Sequence, residues 1–401
     1  MRQQHPDRER IPAVQGERIV LAFLITLNLA AYAFSATSGL YLGDAVGLRV
    51  TLDPPALLAV SAAAIGAYLL IYIYVTRLTL RPGGGDPAAA LGVIEGVLIL
   101  GVVLAWIGFL TTGYGAAETR SSRAFGFLFK LLPYDLAFAL YLCAVRSVKR
   151  GLCVCAPYAL LRLLMGWTGF LFVSFCILFI RWFNARRRRP GAHVMGIGLF
   201  CMAFLLSPFV LAIKFLVRYG EMPPFGYALG IAQLTGRLTS IGNSAFAVQN
   251  AELFASRIEM LSFPWVAVLD PLLGMVPRAL LGFHFENYET VYVQIVHGAL
   301  NPGVIFFLGL IGKLHVCFAQ STWLGLAVVA MAALLLALIV CAARWLLGST
   351  AMPYVLLAGL GFVSTGSLEE LGAQLYGLLF LCAVVMVRNA YAGAFTARTA
   401  S

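Results

Sequence analysis

The residues best suited to chemistry in this chain are arginines and histidines set in its most polar stretch, about residues 214–300. Arg237, Arg257 and Arg278 lie there among Glu221, Glu252, Glu259, Asp270, Glu286 and Glu289. A guanidinium stays charged at physiological pH and grips planar anionic oxygens through two parallel N–H bonds, so spaced arginines suit a phosphate or diphosphate group. Arg120, Arg123 and Arg162 could complete such a site from other parts of the chain. Each of these cations could equally pair with a neighbouring acid or a lipid headgroup. His284, His297 and His315 supply the second kind of group, because a neutral imidazole can take a proton from a hydroxyl near neutral pH. His297 is the base candidate, with Glu286 and Asp270 as carboxylate alternatives.

Metal chemistry has little to stand on. No HxxxH or HExxH pattern occurs, and His284 and Glu286 share a side only if their segment is extended. The eight cysteines are scattered, nearly all in apolar runs where cysteine acts as a small hydrophobe. Cys153 and Cys155 would point to different faces of a helix. Neither a metal nor a cofactor is expected, and no disulfide framework.

What positions these groups is a membrane scaffold. The 401 residues are 61% hydrophobic and 11% charged, whereas a soluble globule carries roughly 25% charged residues. Apolar runs long enough to cross hydrocarbon as helices predict about ten spans, at 19–38, 56–75, 89–110, 132–147, 151–164, 166–183, 194–215, 322–346, 351–366 and 372–390. The expected fold is therefore an all-α polytopic membrane protein with one large helical extracytoplasmic loop.

Basic residues orient it. Arg146, Lys149 and Arg150 precede 151–183 and Arg186 to Arg189 follow it, so both clusters belong on the cytoplasmic side and 151–183 must be a tight hairpin. The same rule puts both termini in the cytoplasm. The net charge of +11 is then an arginine skin beside anionic lipid headgroups and not a nucleic-acid footprint. The chain divides into a cytoplasmic tail (1–18), a retained first span within seven (19–213), a periplasmic segment (214–321), three further spans (322–390) and a cytoplasmic tail (391–401). Within the periplasmic segment, 228–262 reads as amphipathic helices lying on the membrane surface, and 301–312 as a re-entrant or interfacial helix begun by Asn301-Pro302.

The run from His297 to Gly312, HGALNPGVIFFLGLIG, resembles the end of the large periplasmic loop in oligosaccharide repeat-unit polymerases and O-antigen ligases. His297, Asn301, Pro302, Gly309 and Gly312 carry the likeness, together with the layout of spans, hairpin and late loop. The Asn-Pro, the apolar run and the Gly-x-x-Gly look more like the polymerases, since His297 is followed by Gly298-Ala299 and not by Ser or Asn.

The resemblance implies a bacterial inner-membrane glycosyltransferase without a cofactor. A glycan on an undecaprenyl diphosphate donor would pass en bloc to a hydroxyl of a lipid-linked repeat unit at a periplasmic site. Arg237, Arg257 and Arg278 would contact diphosphate or glycan, with Arg120, Arg123, Arg162, Glu286, Asp270 and Asn301 as further substrate contacts and His297 as base. Membrane lipids, a flippase and a chain-length regulator would be its partners. An O-antigen ligase, or a lipid-linked oligosaccharide flippase or transporter, is the alternative reading.

Overall fold

In the computed structural model the described residues are 15–39, 42, 52–79, 87–113, 128, 131–186, 191–222, 226–261, 263, 265–276, 288–297 and 307–399. They are all-helical. Seven stretches are long and apolar enough to cross a membrane: Gly16–Ser38, Pro54–Leu78, Pro87–Thr112, Gly169–Arg186, Ala192–Val217, Thr322–Thr365 and Leu368–Ala392. Ala251–Leu261 and Val266–Met275, bent by 62° at their junction, would make an eighth if taken as one broken span.

The difference from the ten expected spans has local causes. Helices α1 (Gly16–Ser38), α2 (Pro54–Thr79) and α3 (Pro87–Thr112) run as expected. The next, α4 (Tyr134–Ala144), stops at Val145, whose extended backbone ends it after 11 residues, a rise of only about 16 Å. Helix α5 (Val148–Leu164) carries Lys149, Arg150 and Arg162, and Pro157 within it. A turn through Gly166 leads to α6 (Gly169–Arg186), and α7 (Ala192–Tyr219) follows. Near the C-terminus, α14 (Thr322–Leu347) and α15 (Met352–Thr365) count as one apolar stretch joined by a 3₁₀ turn, Gly348–Ala351, but α15 doubles back there, with Gly359 against Leu336 of α14 and Ile71 and Val75 of α2. Helix α16 (Leu368–Thr399) closes the fold.

Outward faces of the long helices carry Leu58, Leu70, Leu100, Leu110 and Leu206 in the open, as lipid-facing surfaces should. At one end, cations satisfy the carbonyls that helix ends leave bare. Arg181 donates to Leu142 O and Val145 O and Arg344 to Leu78 O, while Arg388 reaches Ala89 O in the first turn of α3, a carbonyl inside that helix, at 2.8 Å. Arg150 pairs with Glu95 there, and Asn184 ties Gly16 N and Glu17 to α6.

Between α7 and α14 the described residues form six shorter helices, α8 (Tyr227–Thr239), α9 (Ile241–Gln249), α10 (Ala251–Leu261), α11 (Val266–Met275), α12 (Tyr288–His297) and α13 (Gly309–Gln320). They do not form a layer laid over the bundle, as the amphipathic pattern suggested. Helix α8 packs on α1 and α7, α9 on α2 and α13, α13 on α14 and α15, and α11 along α16. The Tyr68 hydroxyl, near the middle of α2, bonds Ser364 Oγ at 2.9 Å, and Ser364 Oγ donates to Leu238 O of α8. Buried hydroxyls and carbonyls among apolar helices must be paired, and this relay pairs three elements at once.

Two tight approaches fix the geometry. Ser240, between α8 and α9, has φ 50°, the one positive φ outside glycine among the described residues. Gly309 opens α13 at φ +72° with its Cβ position 2.4 Å from Ser244 Oγ, so no side chain fits. Asn243 Nδ2 and Ser244 Oγ donate to Phe307 O and Leu308 O at 2.7 and 2.6 Å, pinning the chain that enters α13.

Candidate functional site

Arg162, in the last turn of α5, forms the first constellation. It is 7% exposed and pairs with Asp135 in the first turn of α4, which also accepts from the Tyr158 hydroxyl at 2.7 Å. Its guanidinium carbon lies 5.0, 5.5 and 5.2 Å from the ring centres of Tyr134, Tyr158 and Trp167. A lone arginine among apolar helices would cost several kcal/mol, roughly 2.5 to 3.5 on insertion scales; here a carboxylate and three ring faces replace its water. Phe138 stacks on Tyr158 with centres 4.0 Å apart and stiffens the box.

The box is open on one side. The Asp135 side chain is 56% exposed, and it faces a cleft of about 350 Å³ whose walls include Tyr158, Arg162, Trp167, Thr168 and Lys214 of α7. Phe138 and Phe170 line this cleft and also a second, apolar one of about 530 Å³ between α4, α5 and α6. That second cleft runs past Leu142, Leu152 and Leu178 to Arg146 and Arg181 at the basic end. A cation-bearing, aromatic mouth thus adjoins an oily groove along α5, with Phe138 and Phe170 as their common wall. Chemically, the mouth suits an anionic or sugar-bearing group and the groove suits a hydrocarbon chain.

The second constellation is buried. Lys313 of α13 and Asp270 of α11 are each 1% exposed, and Glu289 of α12 is 6% exposed. Lys313 Nζ donates to Asp270 Oδ2 at 2.6 Å and to Glu289 Oε1 at 3.3 Å, over the Tyr288 ring at 5.4 Å. The Tyr288 hydroxyl bonds Gln320 Oε1, and Gln320 reaches Ala255 O, so α10, α12 and α13 are tied together. Burial alone would push Lys313 toward neutrality, but the carboxylates of Asp270 and Glu289 outweigh it and hold the ammonium above the ordinary lysine value.

Of the residues singled out in the sequence, Arg162 lines the cleft, with Asp135 as its partner. Arg237, in the last turn of α8, and Arg257, on α10, are exposed and do not line it. Asp270 is locked against Lys313 under the surface, which removes it from contact with a bulky substrate. His297 ends α12, its side chain outside the described set; Arg120, Arg123, Arg278, His284, Glu286 and Asn301 also lie outside the described residues. Among the described residues no cluster of three or more His, Cys, Asp or Glu could hold a metal ion.

The sequence reading passed over Lys313, Lys214 and Trp167. Lys313 had a signal: between Asn301 and Ser321 it is the one Lys, Arg, Asp or Glu in an apolar stretch, and such charges mark functional or structural sites. Trp167 and Lys214 had none, because their relation to Arg162 is set by tertiary packing.

The fold and these two constellations define an all-helical, membrane-embedded protein with a polar cleft at one end of its bundle. No family model, curated protein or solved structure matches the chain.

Proposed function

We propose that the protein is a bacterial inner-membrane glycosyltransferase that polymerises undecaprenyl-diphosphate-linked oligosaccharide repeat units at its periplasmic side. One observation carries the reading: the Arg162–Lys214 mouth adjoins the apolar groove along α5, with Phe138 and Phe170 lining both, which suits a molecule with an anionic head, sugars and a long hydrocarbon tail. The gathering of Arg150, Arg181, Arg344 and Arg388 at the opposite end supports a cytoplasmic assignment for that end and a periplasmic one for the cleft.

In this reading Lys214 and Arg162 stabilise charge developing on the departing lipid diphosphate, which needs no metal. Trp167 offers its face to a sugar ring. The acceptor hydroxyl of the next repeat unit attacks the anomeric carbon, its proton passes to a base, and the bond from that carbon to the diphosphate oxygen breaks. His297 is the base in this proposal, Arg237 and Arg257 contact glycan beyond the cleft they do not line, and Arg278 is a further glycan contact.

The test is the polysaccharide ladder of a strain lacking the gene, complemented with wild type, Arg162→Ala, Lys214→Ala or His297→Ala at matched expression. Collapse to a single-repeat band supports polymerisation. Loss of all bands with lipid-linked polymer accumulating indicates an O-antigen ligase, and an unchanged ladder contradicts both.

A flippase or transporter is favoured by a different observation, the charged Lys313 cluster inside the bundle beside broken helices, an arrangement transporters use for coupling ions. It predicts lipid-linked repeat units trapped on the cytoplasmic side when the gene is lost.

A further inference from the structure

The Lys313 cluster carries an inference that does not depend on the glycan reading. Lys313 is bonded to two carboxylates, so with all three groups ionised the buried triad is one negative charge in excess. Two further acids of α16 lie within electrostatic range, Glu369 of Asp270 and Glu370 of Glu289 and Lys313. Helix α14 brings no relief, because its single charged residue, Arg344, is engaged on Leu78 O. Among the described residues the other titratable neighbours, Tyr288 and Cys317, are neutral acids that bring no charge.

The geometry shows where the imbalance falls. Asp270 Oδ2 takes the lysine, while Asp270 Oδ1 is fully buried and has no hydrogen-bond partner among the described residues. A bare, ionised carboxylate oxygen in an apolar interior is costlier than the neutral acid, which leaves one uncharged donor unmatched. No third His, Cys, Asp or Glu among the described residues converges to hold a cation instead.

We propose that Asp270 Oδ1 binds a proton at neutral pH, making the Asp270–Lys313–Glu289 triad a buried proton-binding site of net zero charge. In that state Lys313 is the ammonium partner of an ionised Glu289 and donates to the carbonyl oxygen of a protonated Asp270. Loss of the proton puts a second negative charge in the triad, next to Glu369.

The consequence falls on the contact between α11 and α16. These backbones touch: a Cβ on Gly274 would lie 2.0 Å from Glu369 O, and one on Gly372 would lie 2.2 Å from Pro271 O. Asp270 and Glu369 are carried on the two sides of that contact, so deprotonation sets like charges across it. Emptying the site therefore loosens α11 from α16, and filling it holds them together.

The experiment is infrared difference spectroscopy of the full-length protein in lipid nanodiscs, titrated from acid to alkaline pH, with unlabelled or isotope-labelled aspartate. The expected result is one protonated carboxyl stretch at neutral pH that shifts with labelled aspartate, disappears as pH rises and is absent in Asp270→Asn. Lys313→Met should move its disappearance to higher pH, since the ammonium favours the ionised acid. The proposal is overturned if no protonated aspartate band is present at neutral pH in wild type. It is equally overturned if the band follows labelled glutamate, or if it persists in Asp270→Asn. Because wild type alone answers the first question, a variant that fails to fold does not rescue the idea.

Discussion

Ser364 Oγ stands between the Tyr68 hydroxyl, 2.9 Å away near the middle of α2, and Leu238 O of α8. Ser364 has one hydrogen, and it goes to the carbonyl; Tyr68 must then donate to Ser364. The two residues are therefore not equivalent under substitution. Tyr68→Phe removes a donor and leaves the serine–carbonyl bond intact, for a loss of about 1 kcal/mol. Ser364→Ala strands both a hydroxyl and a carbonyl and should cost about twice as much. Thermal unfolding of the two variants in the same detergent checks the order.

The Lys313–Glu289 pair gives a sharper asymmetry. Removing one partner, as in Lys313→Met, leaves Glu289 as an uncompensated buried carboxylate and should destabilise by about 3–5 kcal/mol. Removing both, in Lys313→Met with Glu289→Leu, should recover part of the loss even though two polar groups are gone. A double-mutant cycle from unfolding midpoints measures it; a double variant as unstable as the sum of the singles would mean that the pair is not coupled.

Gly309 and Gly39 have nearly the same left-handed backbone, φ +72° and +66°, but different surroundings. Gly39 has nothing within 4 Å of its Cβ position, whereas Gly309 meets Ser244 Oγ at 2.4 Å. Gly39→Ala should lose only the backbone term, about 1 kcal/mol. Gly309→Ala adds overpacking, about 1–3 kcal/mol more, and should disturb the entry to α13. Expression level and unfolding midpoint of the two variants test the ranking.

Arg162→Lys separates charge from shape. Lysine keeps a positive charge beside Asp135 but loses the planar face set among Tyr134, Tyr158 and Trp167. Activity should fall about tenfold, corresponding to roughly 1–2 kcal/mol of lost positioning. Asp135→Asn should do the opposite: it frees the guanidinium for an anion and costs stability more than substrate affinity. Donor titration with both variants distinguishes the two effects.

How much of this was legible in the chain depends on sequence distance. The apolar runs mark the long helices because hydrocarbon demands continuous helical hydrogen bonding. Arg162 was legible as a cation, but its partner Asp135 is 27 positions away on a separate helix, and nothing in the spacing pairs them. The stretch after α7 looked like surface helices because its amphipathic pattern tells which face is polar and not what the apolar face meets. Its anchor, Ser364 to Leu238, joins residues 126 positions apart. Asp270 read as a possible base for the same reason: its partner Lys313 lies 43 positions further on.

The central claim is glycan transfer at the Arg162–Lys214 cleft. Its most direct test is reconstitution of purified full-length protein in liposomes with synthetic polyprenyl-diphosphate-linked repeat units, followed by mass spectrometry of the lipid-linked products. The account predicts products lengthened by whole repeats with wild type, and a loss of at least tenfold with Arg162→Ala and with Lys214→Ala. Lengthening unaffected by either substitution would contradict the site, and no lengthening by correctly folded wild type would contradict the function.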